Sequence, residues 1–565
     1  MTDDGCRCLL VSDFNVSPLS GYLVNSSDPP RLRATVAPFG QVMPTLLDPA
    51  AAAWRDSHDV AIVWTRPEGI IEGFDRVLDC AGPPIDELLV QVDAYSDAII
   101  GIKDRVAAVL VPSWVVAGYH RGLGLIDLKD GGVQNALWRA NARLAANLRA
   151  QRNLYLLDTQ RWLHAAGPAA FNPKFWYMAK MAFSNDVFKS AAFDIKAAIR
   201  AISGSSKKLL VLDLDDTLWG GVVGEIGWQE LKLGGHDPIG EAFVDFQRAV
   251  RALKNRGIVL AIVSKNDEAT ALEAIRTHPE MVLRLDDFVA WRINWNDKAA
   301  NLADLATQLN VGLQSVVFID DQPAERGRVR EALPEVFVPE WPVDKMLFKK
   351  TLQSLSCFDT VSISQEDLQR TEMYSAERIR QQGRASVSSV DQWLRSLKVT
   401  VTIEPLSQTN LARATQLLNK TNQMNLSTRR LAENQLEDWI AQGHRKIWCF
   451  RVADRYGDSG LTGILSVDCE GNQTRIVDFL LSCRVFGRQV ESLMIHTAVE
   501  YARCAGTRLI AARYMPTEKN KPCLECWLNS GFEHDPDSGL FSWDTSRPYA
   551  APDFIEVIER VAPDT

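Results

Sequence analysis

Asp213 and Asp215 stand two residues apart in the segment VLDLDDTLW, with Thr217 close behind. The apolar run KKLLVL before them predicts a strand, and alternate strand residues share a side, so both carboxylates start on one face. Carboxylates so placed share a divalent cation through hard oxygen ligands, and Mg²⁺ suits them. Asp213 is then positioned to attack phosphorus, and Asp215 to act as acid and base. A phosphate dianion needs further compensation. Ser264 in VSKND offers a hydroxyl and Lys298 in NWNDK an ammonium. FIDDQPAER adds Asp320, expected to complete the metal ligands with Asp213 and Asp215, and Asp321, expected with Asp216 and Asn266 to support them. Thr217, Ser264 and Lys298 are expected to hold the phosphate.

The elements that must position these groups alternate. EAFVDFQRAVRALKNRG reads as a helix with a glycine stop, IVLAIVSKND as a strand, DEATALEAIRTH as a helix, and QSVVFIDDQPAERGRVREAL as strand, acidic loop and helix. Every polar cluster falls at a strand's carboxyl end, where open α/β sheets bind ligands. The insertion GGVVGEIGWQELKLGGHDPIG is long enough for a small flap and too short for a cap domain.

The chain of 565 residues is too long for one core. Residues 1–203 alternate apolar runs (CLLVSDF, VAIVWT, AAVLVPSW, NLYLLD) with helical stretches, which predicts an α/β domain with a parallel sheet. ISGSSKK leads into the phosphoryl-transfer domain, 204–370. A charged helical connector is expected over 371–396 and an α+β domain over 397–565, giving an α/β multidomain protein. A net charge of −9 argues against general binding to nucleic acid. No apolar run nears the roughly 20 residues that span a bilayer, and the N-terminus lacks the order of a signal peptide. No nucleic-acid or membrane partner is expected, and the location expected is cytoplasmic. The ten cysteines read as thiols. Cys6/Cys8 and Cys523/Cys526 lack the partners a zinc site needs.

Taken in order, D-x-D-x-T, strand-end Ser, Lys and a strand ending Asp-Asp, the four motifs resemble the HAD superfamily, implying a Rossmannoid parallel-sheet core with Asp213 as nucleophile and Asp215 as general acid/base. More narrowly, DLDDTLWGGVVGE, SKNDEATA, DDFVAWRINWNDKAANL, KTNQMNLSTRR, VADRYGDSGLTGILS, LLSCRVFGRQVE and YMPTEKNKP resemble the FkbH-like proteins of polyketide pathways. That resemblance implies transfer of the glyceryl group of 1,3-bisphosphoglycerate to the phosphopantetheine thiol of an acyl carrier protein, with removal of phosphate. Acyl transfer of this kind commonly passes through a thioester, and Cys483, between a strand and a helix with Arg484 and Arg488 nearby, is the expected nucleophile.

The last domain resembles the GNAT acyltransferase fold, whose R/Q-x-x-G-x-G/A loop holds the pyrophosphate of acetyl-CoA at a helix N-terminus. The loop reads Arg484-Val-Phe-Gly487-Arg-Gln489, so Gln489 replaces the last small residue. A carrier-borne pantetheine arm is therefore expected in that groove instead. In KTNQMNLSTRR, Asn422, Gln423, Asn425 and Thr428 are expected to read glyceryl hydroxyls, and Arg429 and Arg430 to meet phosphate or an acidic carrier protein. The first domain looks like a degenerate SGNH-hydrolase-type domain. Ser12 is followed by Asp13, and Asp158 by Arg161 at +3 with His164 beyond, so the Asp-x-x-His pattern is not met and a docking or structural role is expected. Two rivals stand beside the glyceryl reading: a plain HAD phosphatase acting on a small phosphoester, and a non-catalytic scaffold.

Overall fold

Alternation along the first strand already separates two cores. In the computed structural model, which describes residues 5–151, 153–235, 237–363, 365–374, 380, 389–482, 485–517 and 519–560, strand β1 (Cys6–Ser12) sends Leu9 and Val11 to one face and Cys8 and Leu10 to the other. With β2 (Leu32–Val36), β3 (Val60–Trp64), β4 (Ala108–Pro112) and β5 (Leu154–Leu157), it forms a parallel sheet in the order β2-β1-β3-β4-β5. Leu9, Val11, Ala61 and Val63 pack on helices Ile85–Gly101 and Val133–Arg149, while Leu10 and Ile62 pack on Ser17–Asn25 and Asn185–Ile202. Each such aliphatic side chain contributes about 1.5–3 kcal/mol on burial.

The chain divides into two units after Ser203. The second unit begins with four parallel strands, β6 (Leu209–Leu212), β7 (Val259–Ser264), β8 (Phe288–Ile293) and β9 (Val316–Ile319), ordered β8-β7-β6-β9. Both faces are buried, Leu210 and Leu212 in one core and Leu209 and Val211 in the other. The direction of strand order reverses between β6 and β9, so a crevice opens at their carboxyl ends.

A mixed eight-stranded sheet follows within the same unit: β10 (Thr400–Pro405), β11 (Arg445–Asp454), β12 (Gly457–Glu470), β13 (Gln473–Leu481), β14 (Leu509–Arg513), β15 (Glu533–Asp535), β16 (Leu540–Asp544) and β17 (Glu556–Glu559), ordered β15-β16-β14-β13-β12-β11-β10-β17. β10 to β13 pair antiparallel in sequence order. β13 and β14 pair in parallel only from Gln473–Ile476 against Leu509–Ala512. Beyond that point the chain itself enters the space between them. Leu426 N–H donates to Phe479 O and Leu481 N–H to Met424 O, each at 3.0 Å, and Met515 N–H donates to Leu426 O at 3.0 Å. Among the described residues, no helix is long and apolar enough to cross a membrane.

Candidate active site

Three carboxylates converge where β6 and β9 end. One oxygen from each of Asp213, Asp320 and Asp321 lies within 4.8 Å of the others. Asp213 and Asp320 are buried at 3% and 0% exposure. Lys298, first residue of helix Lys298–Gln308, places Nζ 2.6 Å from Asp320 Oδ2 and 3.1 Å from Asp213 Oδ2. Across the cluster Lys345 Nζ lies 3.3 Å from Asp321 Oδ2 and donates to Asp216 O at 2.7 Å. Arg326, buried in helix Pro323–Ala332, donates to the backbone carbonyls of Asp320 and Asp321 at 2.9 and 2.8 Å and so fixes the acidic turn.

The electrostatics leave this cluster short of positive charge. Burial, followed by repulsion from Asp213, pushes the Asp320 carboxyl up to about 7 even though Lys298 draws it down. Burial also raises Asp321. Burial would lower the Lys298 ammonium, but Asp213 and Asp320 outweigh it and hold it above its ordinary value. Two carboxylate oxygens, Asp213 Oδ1 and Asp321 Oδ1, are buried with no hydrogen-bond partner among the described residues. An orphaned buried acceptor is costly unless something meets it. A hard divalent cation fits these all-oxygen donors.

Asp215 is placed differently from the expectation. Its Oδ1 accepts from Trp219 Nε1 at 2.9 Å and Val223 N–H at 3.1 Å, and its Oδ2 from Asn266 Nδ2 at 2.8 Å. The side chain is thus held beside the three carboxylates and is not among the side chains whose oxygens converge. Burial raises its pKa, which suits proton donation. Val223 begins a short helix, Val223–Ile226, inside the flap, so flap and acid are tied together. Asp321, expected only to support the site, brings an oxygen into the convergent group. Thr217, expected at phosphate, is buried with Oγ1 accepting the Asp321 N–H at 3.2 Å, so it braces the second acidic turn. Ser264 is buried at the end of β7. Asp216 has φ 53, a left-handed conformation that non-glycine residues adopt at a cost. Lys345 and Arg326 were not anticipated. Arg326 lies within the FIDDQPAER segment that marked the site, whereas nothing local marks Lys345.

In the C-terminal sheet the expected groove is filled. Met424–Leu426 occupies the gap between β13 and β14, with an isolated bridge between Asn425 and Leu480. Asn425 is buried, its Nδ2 donating to Thr421 O and its Oδ1 accepting from Thr428 N–H. Arg429, expected at phosphate or a carrier protein, pairs with buried Asp478 and lies 4.9 Å over Trp439, so its guanidinium braces the sheet. Arg430 donates to Leu418 O and to Asn422 Oδ1. The loop before helix Val490–Cys504 is likewise taken. Burial raises the Glu491 carboxyl while the N–H groups of Gly487 and Gln489 draw it back, so Glu491 sits where the GNAT resemblance would put pyrophosphate. Arg488 is buried and donates to Asp454 Oδ2 at 2.9 Å. Cys483 and Arg484 lie outside the described residues.

At the end of β1, Ser12 Oγ accepts the N–H of Phe14, and Asp13 accepts from the backbone and guanidinium of Arg66, each at 2.9 Å. Asp158 caps helix Thr159–Ala166. Among the described residues no hydrogen bond joins Ser12 to Asp158 or His164.

No family model matches the chain, and no curated protein does. Among solved structures it is similar to the N-terminal part of the protein BF1531 from Bacteroides fragilis, described as containing a phosphatase domain complexed with Mg. Identity is 29% and the TM-score 0.57, over 63% of this chain and 94% of that one. Two further matches are an acetyltransferase of the GNAT family from Staphylococcus aureus (8% identity, TM-score 0.21, 26% of this chain and 99% of that one) and the GNAT domain of S. lividans PAT (16%, 0.21, 25% and 89%). TM-scores of this size establish neither fold nor function for the C-terminal sheet.

Proposed function

We propose that the protein is a magnesium-dependent phosphoryl-transfer enzyme that loads a three-carbon acyl unit. In this reading the glyceryl group of 1,3-bisphosphoglycerate moves to the phosphopantetheine thiol of an acyl carrier protein, and the remaining phosphate ester is hydrolysed. The observation that carries the phosphatase half is the convergence of Asp213, Asp320 and Asp321 with two orphaned buried oxygens. Asp213, Asp320 and Asp321 would hold Mg²⁺, which supplies charge neutralisation at the phosphoryl oxygens.

The chain's own groups account for the rest of the hydrolysis. Asp213 attacks phosphorus; a P–O bond to Asp213 forms as the ester P–O bond breaks. Asp215, its carboxyl raised by burial, gives its proton to the departing alkoxide. It then takes a proton from the water that cleaves the aspartyl phosphate, returning Asp213 and releasing phosphate. Lys298 orients Asp213 throughout. In the acyl step a thiolate attacks the acyl carbon, the C–S bond forms, and the acyl C–O bond breaks to expel phosphate. The FkbH-like segments on both sides of the connector support coupling the two activities. Glu491 at the helix N-terminus supports a carrier-borne acceptor over free CoA, because a carboxylate stands where the pyrophosphate of CoA would lie.

Intact-mass spectrometry of a holo carrier protein incubated with enzyme, Mg²⁺ and 1,3-bisphosphoglycerate made in situ tests this. Wild type should add glyceryl, Asp213→Asn phosphoglyceryl, and Cys483→Ala nothing if that thiol relays the acyl group. Release of phosphate with no gain of carrier mass would leave a plain phosphatase.

A further inference from the structure

Two loops of the first unit hold large apolar side chains out in water. Residues 113–132 follow β4, and residues 167–184 follow helix Thr159–Ala166. They meet where the Tyr119 ring lies 6.4 Å from that of Phe171. The first loop is drawn tight by Asp127, whose carboxylate accepts the N–H groups of Leu123 and Val133 at 2.8 Å and of Gln134 at 3.0 Å. Leu125, Ile126 and Leu128 are nonetheless exposed. The second loop carries helix Pro173–Ala179, none of whose residues is buried. That helix is pinned at the carboxyl end of the sheet. Arg66, paired with Asp13, lies 3.9 Å over the Trp176 ring, and Asn15 Nδ2 donates to Ala179 O at 3.1 Å. Tyr177 and Met178 are left 77% and 83% exposed. Slack in the chain does not account for this, since hydrogen bonds fix both loops. A fold gains nothing by holding such groups in water, and apolar side chains gathered on one surface mark a contact.

The charge around them is one-sided. The two loops contain Arg121, Lys129, Lys174 and Lys180, all exposed, and among the described residues none of the four has an ion pair. Lys180 Nζ lies 5.0 Å over the Trp176 ring. The same loops contain two carboxylates, and both are engaged: Asp127 by the three N–H groups, and Asp130 at 3.8 Å from Arg139.

We infer that this face of the first unit is the docking surface for an acidic protein, which lays an apolar helix face on Tyr177, Met178 and Leu125 and sets its carboxylates against the four cations. Tyrosine and methionine are enriched where proteins meet, with charge at the rim, and opposite charges across that rim steer and orient the partner. The surface is argued independently of the glyceryl reading; only identifying its occupant with the acyl carrier protein rests on that reading.

Biolayer interferometry of the full chain tests the assignment, with the holo carrier protein used for intact-mass spectrometry as the probe. Wild type should bind, and less tightly as ionic strength rises. Tyr177→Ser/Met178→Ser and Lys174→Glu/Lys180→Glu should each weaken binding by about tenfold or more, and Lys174→Arg/Lys180→Arg should retain it. All four side chains are exposed, so the variants should melt close to wild type. Carrier binding that these variants weaken, without any gain of carrier mass, would keep the docking surface and remove the glyceryl reading. Binding by the serine and glutamate variants equal to wild type would overturn the docking surface and leave that reading standing. Failure of wild type to bind the carrier protein would also overturn it. So would binding to phosphatidylglycerol vesicles that the same variants abolish, which would make the face a lipid contact.

Discussion

The carboxyl ends of β6 and β1 occupy comparable places in two parallel sheets, and both carry polar residues, yet their chemistry differs. At β1 every named group is answered locally: Ser12 takes the Phe14 amide, and Asp13 is matched by Arg66. At β6 three carboxylates face two ammonium groups and leave two buried oxygens without partners. A site built for a ligand is recognised by what it leaves unsatisfied, since a buried acceptor persists only where something else is gained by it.

The contrast can be broken by substitution. The largest effect expected is on phosphate release in Asp213→Asn, a fall of about four orders of magnitude or more, because no other group can form the covalent intermediate. A loss of less than tenfold would move the nucleophile elsewhere. Next, Lys298→Met should destabilise the metal-free protein by about 3–5 kcal/mol, since it strands Asp213 and Asp320 beside each other. A melting temperature equal to wild type would show that the lysine is not bound into the cluster.

The smallest effect belongs to β1: Ser12→Ala should cost about 1 kcal/mol or less by thermal denaturation and leave phosphate release unchanged. A loss of activity there would mean that the first domain takes part in the chemistry.

Legibility followed sequence distance. Asp213, Lys298 and Asp320 each sit in a short segment where a strand ends or a helix starts, so their spacing points to their meeting. The partners of Asp215 are less legible, because strand alternation ignores the turn after β6, where Trp219, Val223 and Asn266 capture its carboxylate. The pairing of Arg429 is hidden likewise, because its partner, Asp478, lies 49 residues away and leaves no local trace. The insertion of Met424–Leu426 beside Phe479 and Leu481 was hidden for the same reason, and with it the closure of the groove.

The central claim is that Asp213, Asp320 and Asp321 form a cation-dependent phosphoryl-transfer centre, and Mg²⁺ titration calorimetry tests it without knowledge of the substrate. Wild type should bind one ion per chain, with the affinity sharply reduced in Asp213→Asn and in Asp321→Asn and unchanged in Ser12→Ala. Equal Mg²⁺ binding by wild type and both aspartate variants would contradict the account.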